Sequence, residues 1–351
     1  MHIDAIQTPA VLIDMDRAEA NLAMAQDLAN DLGLGLRPHV KTHKLPGLAR
    51  RQVALGAVGV TCQKLGEAEA MADGGLADIF LPYNILGAAK LDRLAALHGR
   101  VRLSVTADSA ETVAGYAARF GPEAPLTVLV ECDTGMGRCG VQSPEAALSL
   151  ARQIDAAEGL HFGGLMTYPP LGHGPETNDW LTRAKALLED AGLASEVIST
   201  GGTPDLLRAG QIPVATEYRP GTYVYSDRMQ VAWGHGTLQD CAMTVLATVV
   251  SRPTPDRAVL DAGSKALAAD TCGAPGFGHL PAYPDAVVTG LSEEHGVVDL
   301  SACTRKPEIG ERLRIVPNHA CVVSNLFDRV HLMRGDEVEE IAQVTSRGAL
   351  T

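Results

Sequence analysis

The sequence predicts an α/β protein: a (β/α)8 TIM-type barrel followed by an antiparallel β domain that the N-terminal strand joins. Three observations predict it. Through the first two-thirds of the chain, short apolar runs alternate with helical segments, and eight such runs occur. Beyond about residue 237 the helical period disappears, and period-two alternation with short turns takes over. One apolar strand, PAVLIDM at 9–15, precedes the first helix and is left over from the eight.

The elements follow in order. After the spare strand comes a helix over 16–33. Barrel strands are expected at 34–40, 57–62, 77–82, 101–107, 125–132, 161–168, 195–200 and 214–220. These runs are apolar and often β-branched, as parallel strands covered on both faces require. Helical spacing of apolar residues marks 45–57, 64–75, 109–121 and 143–159. Ser109 and Ser143 suit helix N-caps, and Gly56, Gly74 and Gly121 suit C-caps. Strand patterns then cover 241–253, 257–264, 286–300, 311–323 and 328–344, with SEEHG at 292–296 as a hairpin turn. The expected division is a barrel over 15–236 and a β domain made of 1–14 and 237–351.

Composition narrows the function. The 351 residues carry 29 Lys and Arg against 42 Asp and Glu, a net charge of −13. A general binder of nucleic acid or of an anionic membrane leans basic, so neither is expected. Gly, Pro or charge interrupts every apolar run short of the ~18–20 residues of a membrane helix. The start carries Asp and no basic stretch, unlike a secretory leader. Seven cysteines, an odd number without a CxxC, argue against a disulfide framework. They suggest a reduced cytoplasm and mostly buried thiols.

Four constellations carry chemistry. RPHVKTHK, 37–44, sets Arg37, His39, Lys41, His43 and Lys44 at the end of the first barrel strand. In this fold the active site is built at strand C-terminal ends. Strand alternation puts Arg37, His39 and Lys41 on one side. A lysine partly desolvated among cations has a lowered pKa and can form a Schiff base. A solvated basic loop is the plain alternative. STGGTP, 199–204, and RPGTYVY, 219–225, follow strands seven and eight, where Gly-rich turns cradle phosphate with backbone N–H groups. Ordinary turns are the alternative. ECDTGMGRCG, 131–140, places Arg138 in a Gly-rich loop at a strand end, able to hold a phenolate or carboxylate. In PNHACVV, 317–323, His319 and Cys321 are two apart and would share one face of a strand. Imidazole plus thiolate suits Zn2+, and a core histidine beside a buried thiol is the alternative. Tyr168 ends strand six and either stacks near a ligand or packs in the core.

RPHVKTHK, DTGMGRCG, STGGTP, EYRPGTYVY, LDAGSKALAAD and PNHAC, in this order over about residues 6–345, resemble the D-threonine aldolase / D-serine dehydratase family. These are pyridoxal-phosphate enzymes of the alanine-racemase-like fold type. The resemblance implies that Lys41 is the Schiff-base lysine and that Arg138 approaches the cofactor's phenolic oxygen. Thr200, Gly201, Gly202, Thr203, Gly221 and Thr222 would hold the phosphate, with Tyr223 assisting. Tyr168 and His39 would sit near the substrate, and His319 and Cys321 would bind the metal, Zn2+ ahead of Mn2+ because of the thiolate. The resemblance also implies a homodimer whose active site lies where the barrel mouth meets a β domain. The expected substrate is a 3-hydroxy-D-amino acid. Retro-aldol cleavage of D-threonine to glycine and an aldehyde leads. Dehydration of D-serine or D-threo-3-hydroxyaspartate to a 2-oxo acid and ammonia follows, then racemisation, then a non-catalytic role in cofactor homeostasis.

Overall fold

The computed structural model describes residues 1–351 and divides into two compact units. One unit comprises residues 1–23, 42–45 and 222–348; the other comprises 24–41, 46–221 and 349–351. Strand β1 (Ala10–Asp14) and helix α1 (Met15–Asp31) open the chain.

The second unit holds all eight expected parallel strands. They are β2 (Gly35–Leu36), β3 (Val60–Thr61), β4 (Asp78–Leu81), β5 (Arg102–Ala107), β6 (Leu126–Cys132), β7 (Leu160–Thr167), β8 (Val197–Thr200) and β9 (Glu217–Tyr218). Their order is β2-β9-β8-β7-β6-β5-β4-β3, parallel throughout. The two outer strands meet through a His39–Thr61 bridge, with Val58 N–H donating to Leu36 O at 2.9 Å and Thr61 N–H to Pro38 O at 2.8 Å. The barrel is thereby closed. Helices α2 (Pro46–Leu55), α3 (Leu65–Asp73), α4 (Ala88–His98), α5 (Ala110–Ala117), α6 (Pro144–Asp155) and α7 (Gly174–Asp190) alternate with the strands. Ser109 and Ser143 cap α5 and α6 through their side chains, and Gly74 caps the end of α3. Gly121 caps nothing, because α5 already ends at Ala117. After β8 the chain makes a 3-10 stretch, Thr203–Gln211, in place of an α-helix. Val60, Ile79, Leu81, Val105, Val128, Val130, Leu165 and Ile198 fill the core.

Charge is buried inside this barrel too. Arg37 donates from Nε to Glu217 at 2.6 Å and from Nη1 to Asp78 at 2.5 Å. Gly59, at φ +155°, leaves room for it: a Cβ there would sit 2.3 Å from the guanidinium. Glu131, on β6, is 9% exposed and accepts a 3.4 Å hydrogen bond from Thr106 Oγ1. Burial, then the charge of Asp108, pushes its carboxyl up to about 7, against the pull of Arg219 and Arg138.

The first unit carries the remaining strands: β10 (Met243–Thr254), β11 (Arg257–Leu260), β12 (Val287–Leu291), β13 (Gly296–Asp299), β14 (Arg312–Ile315), β15 (Arg329–Arg334) and β16 (Glu337–Gln343). Short helices α8 (Arg228–Ala232), α9 (Ser264–Leu267) and α10 (Ala320–Leu326) lie among them. The sheet runs β12-β13-β11-β10-β1-β15-β16, with β14 also on β10. The spare N-terminal strand thus joins this sheet. It pairs antiparallel with β10 and parallel with β15, so the sheet is antiparallel except at that one pair. Residues 320–323, expected as strand, are helix. Pro317 cannot continue the ladder, and Asp227 accepts the Ala320 N–H that a helix start exposes. No helix is long and apolar enough to cross a membrane.

A raised carboxyl pKa makes a signed prediction. Protonated Glu131 favours the folded state, so its contribution is complete below about pH 4.5 and is lost as pH rises through about 7. Glu131→Gln should remove this dependence. Relative to the variant, the natural protein should lose on the order of 3 kcal/mol or less across that window. Thermal unfolding of both proteins at a series of pH values measures it, and parallel curves would refute the assignment.

Candidate active site

The segment after β2 does not continue as a strand. Val40–Thr42 is a 3-10 turn, so the alternation expected to align Arg37, His39 and Lys41 stops at Arg37. Arg37 turns to its two carboxylates. His39 is buried; its Nδ1 accepts from Lys41 N–H at 3.4 Å and its Nε2 faces Gln63 Oε1 at 3.0 Å. His43 accepts from Leu45 N–H at 3.0 Å, and the Lys44 ammonium donates to Ser346 O at 3.3 Å. Lys41 is exposed, not desolvated as expected. The cluster is therefore not a solvated loop: Arg37, His39, His43 and Lys44 have separate structural partners, and Lys41 is exposed.

The two Gly-rich turns form one structure. Gly201 lies at φ +91°, and a Cβ there would fall 2.2 Å from the Tyr218 ring; a Cβ on Gly202 would fall 2.7 Å from Tyr168. Only glycine fits either position. Thr203 Oγ1 accepts from Gly221 N–H at 3.1 Å, and the Tyr218 hydroxyl donates to Gly202 O at 3.0 Å. Thr200 Oγ1 is buried and meets no protein partner. A cradle of glycine backbone with an orphaned hydroxyl fits a phosphate. Between the turns, Arg219 is fully enclosed. It donates from Nε to Ser199 Oγ at 2.8 Å and from Nη2 to Thr167 O at 2.5 Å. Burial lowers its pKa to about 10, which still leaves it charged at neutral pH.

Arg138 stands in an exposed loop with its guanidinium 4.8 Å from the centre of the Tyr168 ring. Asp133 ties this loop by accepting from the Gly135 and Gly137 N–H groups, each at 3.0 Å. Cys139 beside it is exposed, against the expectation of buried thiols, and Cys272 is half-buried.

His319 and Cys321 are brought together, though not on a strand: His319 precedes α10 and Cys321 lies in its first turn. Their side chains hydrogen-bond, which pushes the His319 imidazole up to about 9. Burial raises the Cys321 thiol, but hydrogen bonds from His319, Thr222 and Thr42 outweigh it and hold the thiol below its ordinary value. Thr42 Oγ1 lies 3.2 Å and Thr222 Oγ1 3.4 Å from the sulfur. Thr222, expected at the phosphate, thus spends its hydroxyl on Cys321. Its neighbour Tyr223 is buried at 1% exposure. His319 Nδ1 meets Asp270 Oδ2 at 2.8 Å, the partner an imidazole ligand commonly has. This donor set fits a divalent ion of zinc type.

Sequence reasoning missed Glu131, Arg219, Asp227 and Asp270. Glu131, Arg219 and Asp270 lie inside the motifs ECDTGMGRCG, EYRPGTYVY and LDAGSKALAAD, and a charged residue within an apolar or glycine-rich motif is the available signal.

Comparison with known proteins bears on the family and the fold. Residues 13–229 match the family model of the alanine racemase N-terminal domain, and residues 242–333 match that of a putative serine dehydratase domain. A D-threonine aldolase of Arthrobacter sp is 36% identical, covering 98% of this chain and 93% of its own length. The solved D-threonine aldolase from Filomicrobium marinum superposes with a TM-score of 0.91 at 34% identity, covering 99% of this chain and 96% of that one. The D-threo-3-hydroxyaspartate dehydratase from Delftia sp. HT23 gives 0.89 at 30% identity, over 97% and 98%. Similarity of this depth along nearly the whole chain settles the family: the protein belongs to the D-threonine aldolase / D-serine dehydratase family of lyases, built on the alanine racemase fold.

Proposed function

We propose that the protein is a pyridoxal-phosphate- and divalent-metal-dependent aldolase that cleaves D-threonine and related 3-hydroxy-D-amino acids to glycine and an aldehyde. One observation carries the reading. The Cys321 sulfur is met by Thr42 and Thr222, which directly follow Lys41 and Gly221 in the chain. The candidate lysine and the candidate phosphate turn are each one peptide bond from a residue that touches the candidate metal pair.

When bound, pyridoxal phosphate supplies an electron sink for the pair left at Cα, and the metal supplies a Lewis acid for the 3-hydroxyl. Lys41 would hold the cofactor through its amine, with its backbone fixed by the His39 ring. Thr200, Gly201, Gly202, Thr203 and Gly221 would hold the phosphate, with the Thr222 and Tyr223 backbone continuing that turn. Arg138 would take the phenolic oxygen, and the Tyr168 ring under it would keep the guanidinium oriented. His319 and Cys321 would hold the metal, and the thiolate favours zinc over manganese. The homodimer and cytoplasmic residence belong to the same reading; the family resemblance supports the first, and an odd cysteine count without a CxxC supports the second.

A second reading, dehydration of D-serine or D-threo-3-hydroxyaspartate, has the thiolate-containing metal pair in its favour. A product assay separates the two. Glycine and acetaldehyde are expected from D-threonine and not from L-threonine; a 2-oxo acid and ammonia as the main products would establish dehydration instead. Lys41→Ala should lose the cofactor's visible absorbance and all turnover, and full activity in that variant would remove the lysine from its role. Cys321→Ala, or chelation, should lower turnover roughly a thousandfold, equivalent to about 4 kcal/mol, while the cofactor's absorbance stays. Undiminished turnover in metal-free buffer would restore Cys321 to a packing residue.

A further inference from the structure

We propose that Asp227 is a positioning residue for the His319–Cys321 metal pair: its carboxylate holds the His319–Ala320 peptide in the bend that turns both side chains to one place. The proposal rests on the metal reading above and adds the group that shapes the pair. Every residue it uses lies in the same compact unit.

Spacing alone does not bring the pair together. Residues two apart share a face on a strand and diverge on a helix. His319 is extended, at φ −140° and ψ 97°, and α10 begins at Ala320. The change of backbone therefore falls on the His319–Ala320 peptide, and the two side chains still hydrogen-bond. A helix start exposes N–H groups that the N-cap side chain ordinarily accepts. His319 stands at that N-cap and makes no such bond; its imidazole is turned to Asp270 Oδ2, 2.8 Å from Nδ1, and to Cys321. Asp227 takes over the capping: its Oδ2 accepts from Ala320 N–H at 2.9 Å. The imidazole is thereby left to the metal pair.

The carboxylate is anchored on its own side as well. Oδ1 accepts from Gln230 N–H at 2.9 Å and caps α8. Arg228 N–H donates to Pro317 O at 3.1 Å and Met229 N–H to Asn318 O at 3.2 Å. Arg228 Nη1 donates to Asn318 Oδ1 at 2.6 Å. Residues 227–229 thus brace 317–320. A carboxylate serves both N–H groups; an asparagine has one carbonyl oxygen and would turn its own N–H group towards a donor. Asp227 is 0% exposed, so charge of the opposite sign nearby lowers the cost of burying it. His319 supplies such charge, and a divalent ion on His319 adds to it.

The test separates orientation from folding. Asp227→Asn keeps the volume and one acceptor. Asp227→Ser keeps a single oxygen, which caps α8 and does not also reach Ala320. Each protein is loaded with cofactor, stripped of metal and titrated with Zn2+ against a competing chelator. Its thermal midpoint is read with and without Zn2+. Both variants should bind Zn2+ roughly 10–100-fold more weakly than the natural protein. The gain in midpoint at a fixed Zn2+ concentration should shrink to match, with the cofactor's absorbance unchanged. Unchanged Zn2+ affinity, with midpoints lowered equally in both states, makes Asp227 a cap for the fold and overturns the proposal. Failure of both variants to fold overturns it in the same way. Absence of Zn2+ binding by the natural protein overturns the metal reading itself.

Discussion

The barrel closes on a seam of three hydrogen bonds, and the position of the candidate lysine depends on it. Val58 N–H reaches Leu36 O, Thr61 N–H reaches Pro38 O, and Thr61 Oγ1 reaches Arg37 O at 2.9 Å. The flanking strands are two residues each, so there is little ladder to hold the seam. Arg37 compensates by gripping the first residues of β4 and β9, Asp78 and Glu217. A buried charge pair contributes modest net stability, yet leaving either side unpaired is costly, so the pair acts on register more than on total stability. With residues 36–39 fixed in this way, the turn that carries Lys41 starts from one place.

The basic segment illustrates how like charges are kept together. Arg37 is neutralised by carboxylates, His39 is buried with a partner at each ring nitrogen, and Lys44 is buried against a carbonyl. Repulsion around Lys41 is thus relieved inside the protein. Thr42, the next residue, turns its hydroxyl to Cys321. Consecutive residues of one tight turn therefore face different surroundings: Lys41 is exposed, and Thr42 meets the Cys321 thiol through its hydroxyl.

What the sequence made legible follows from local physics. Strands buried on both faces produce unbroken apolar runs, and all eight were readable; Ser109 and Ser143 cap within three residues and were readable too. Lys41, the glycine turns and the His319–Cys321 pair stood out because spacing and residue type coincide. The rest depends on partners distant in sequence. Helix α10 is seven residues with Val322 and Val323 at its centre, a strand-like run, and the group that satisfies its start, Asp227, is 93 residues away. Asp270 and Cys272 reach His319 across some fifty residues, and only the fold puts them there. The burial of Arg219 and the exposure of Lys41 and Cys139 are likewise settled by surroundings and not by type.

Strand β1 sits inside its sheet, between β10 and β15, with Ala10 opposite Leu246 and Leu12 opposite His331. During synthesis it emerges before both neighbours and waits for them. Until residue 246 has left the ribosome neither edge of it can be paired, and until residue 331 has left one edge remains open. An unpaired apolar strand is a template for another chain. A topology that sets β1 between partners made so much later therefore imposes a delay: β1 leaves the ribosome before every barrel strand and is protected after all of them.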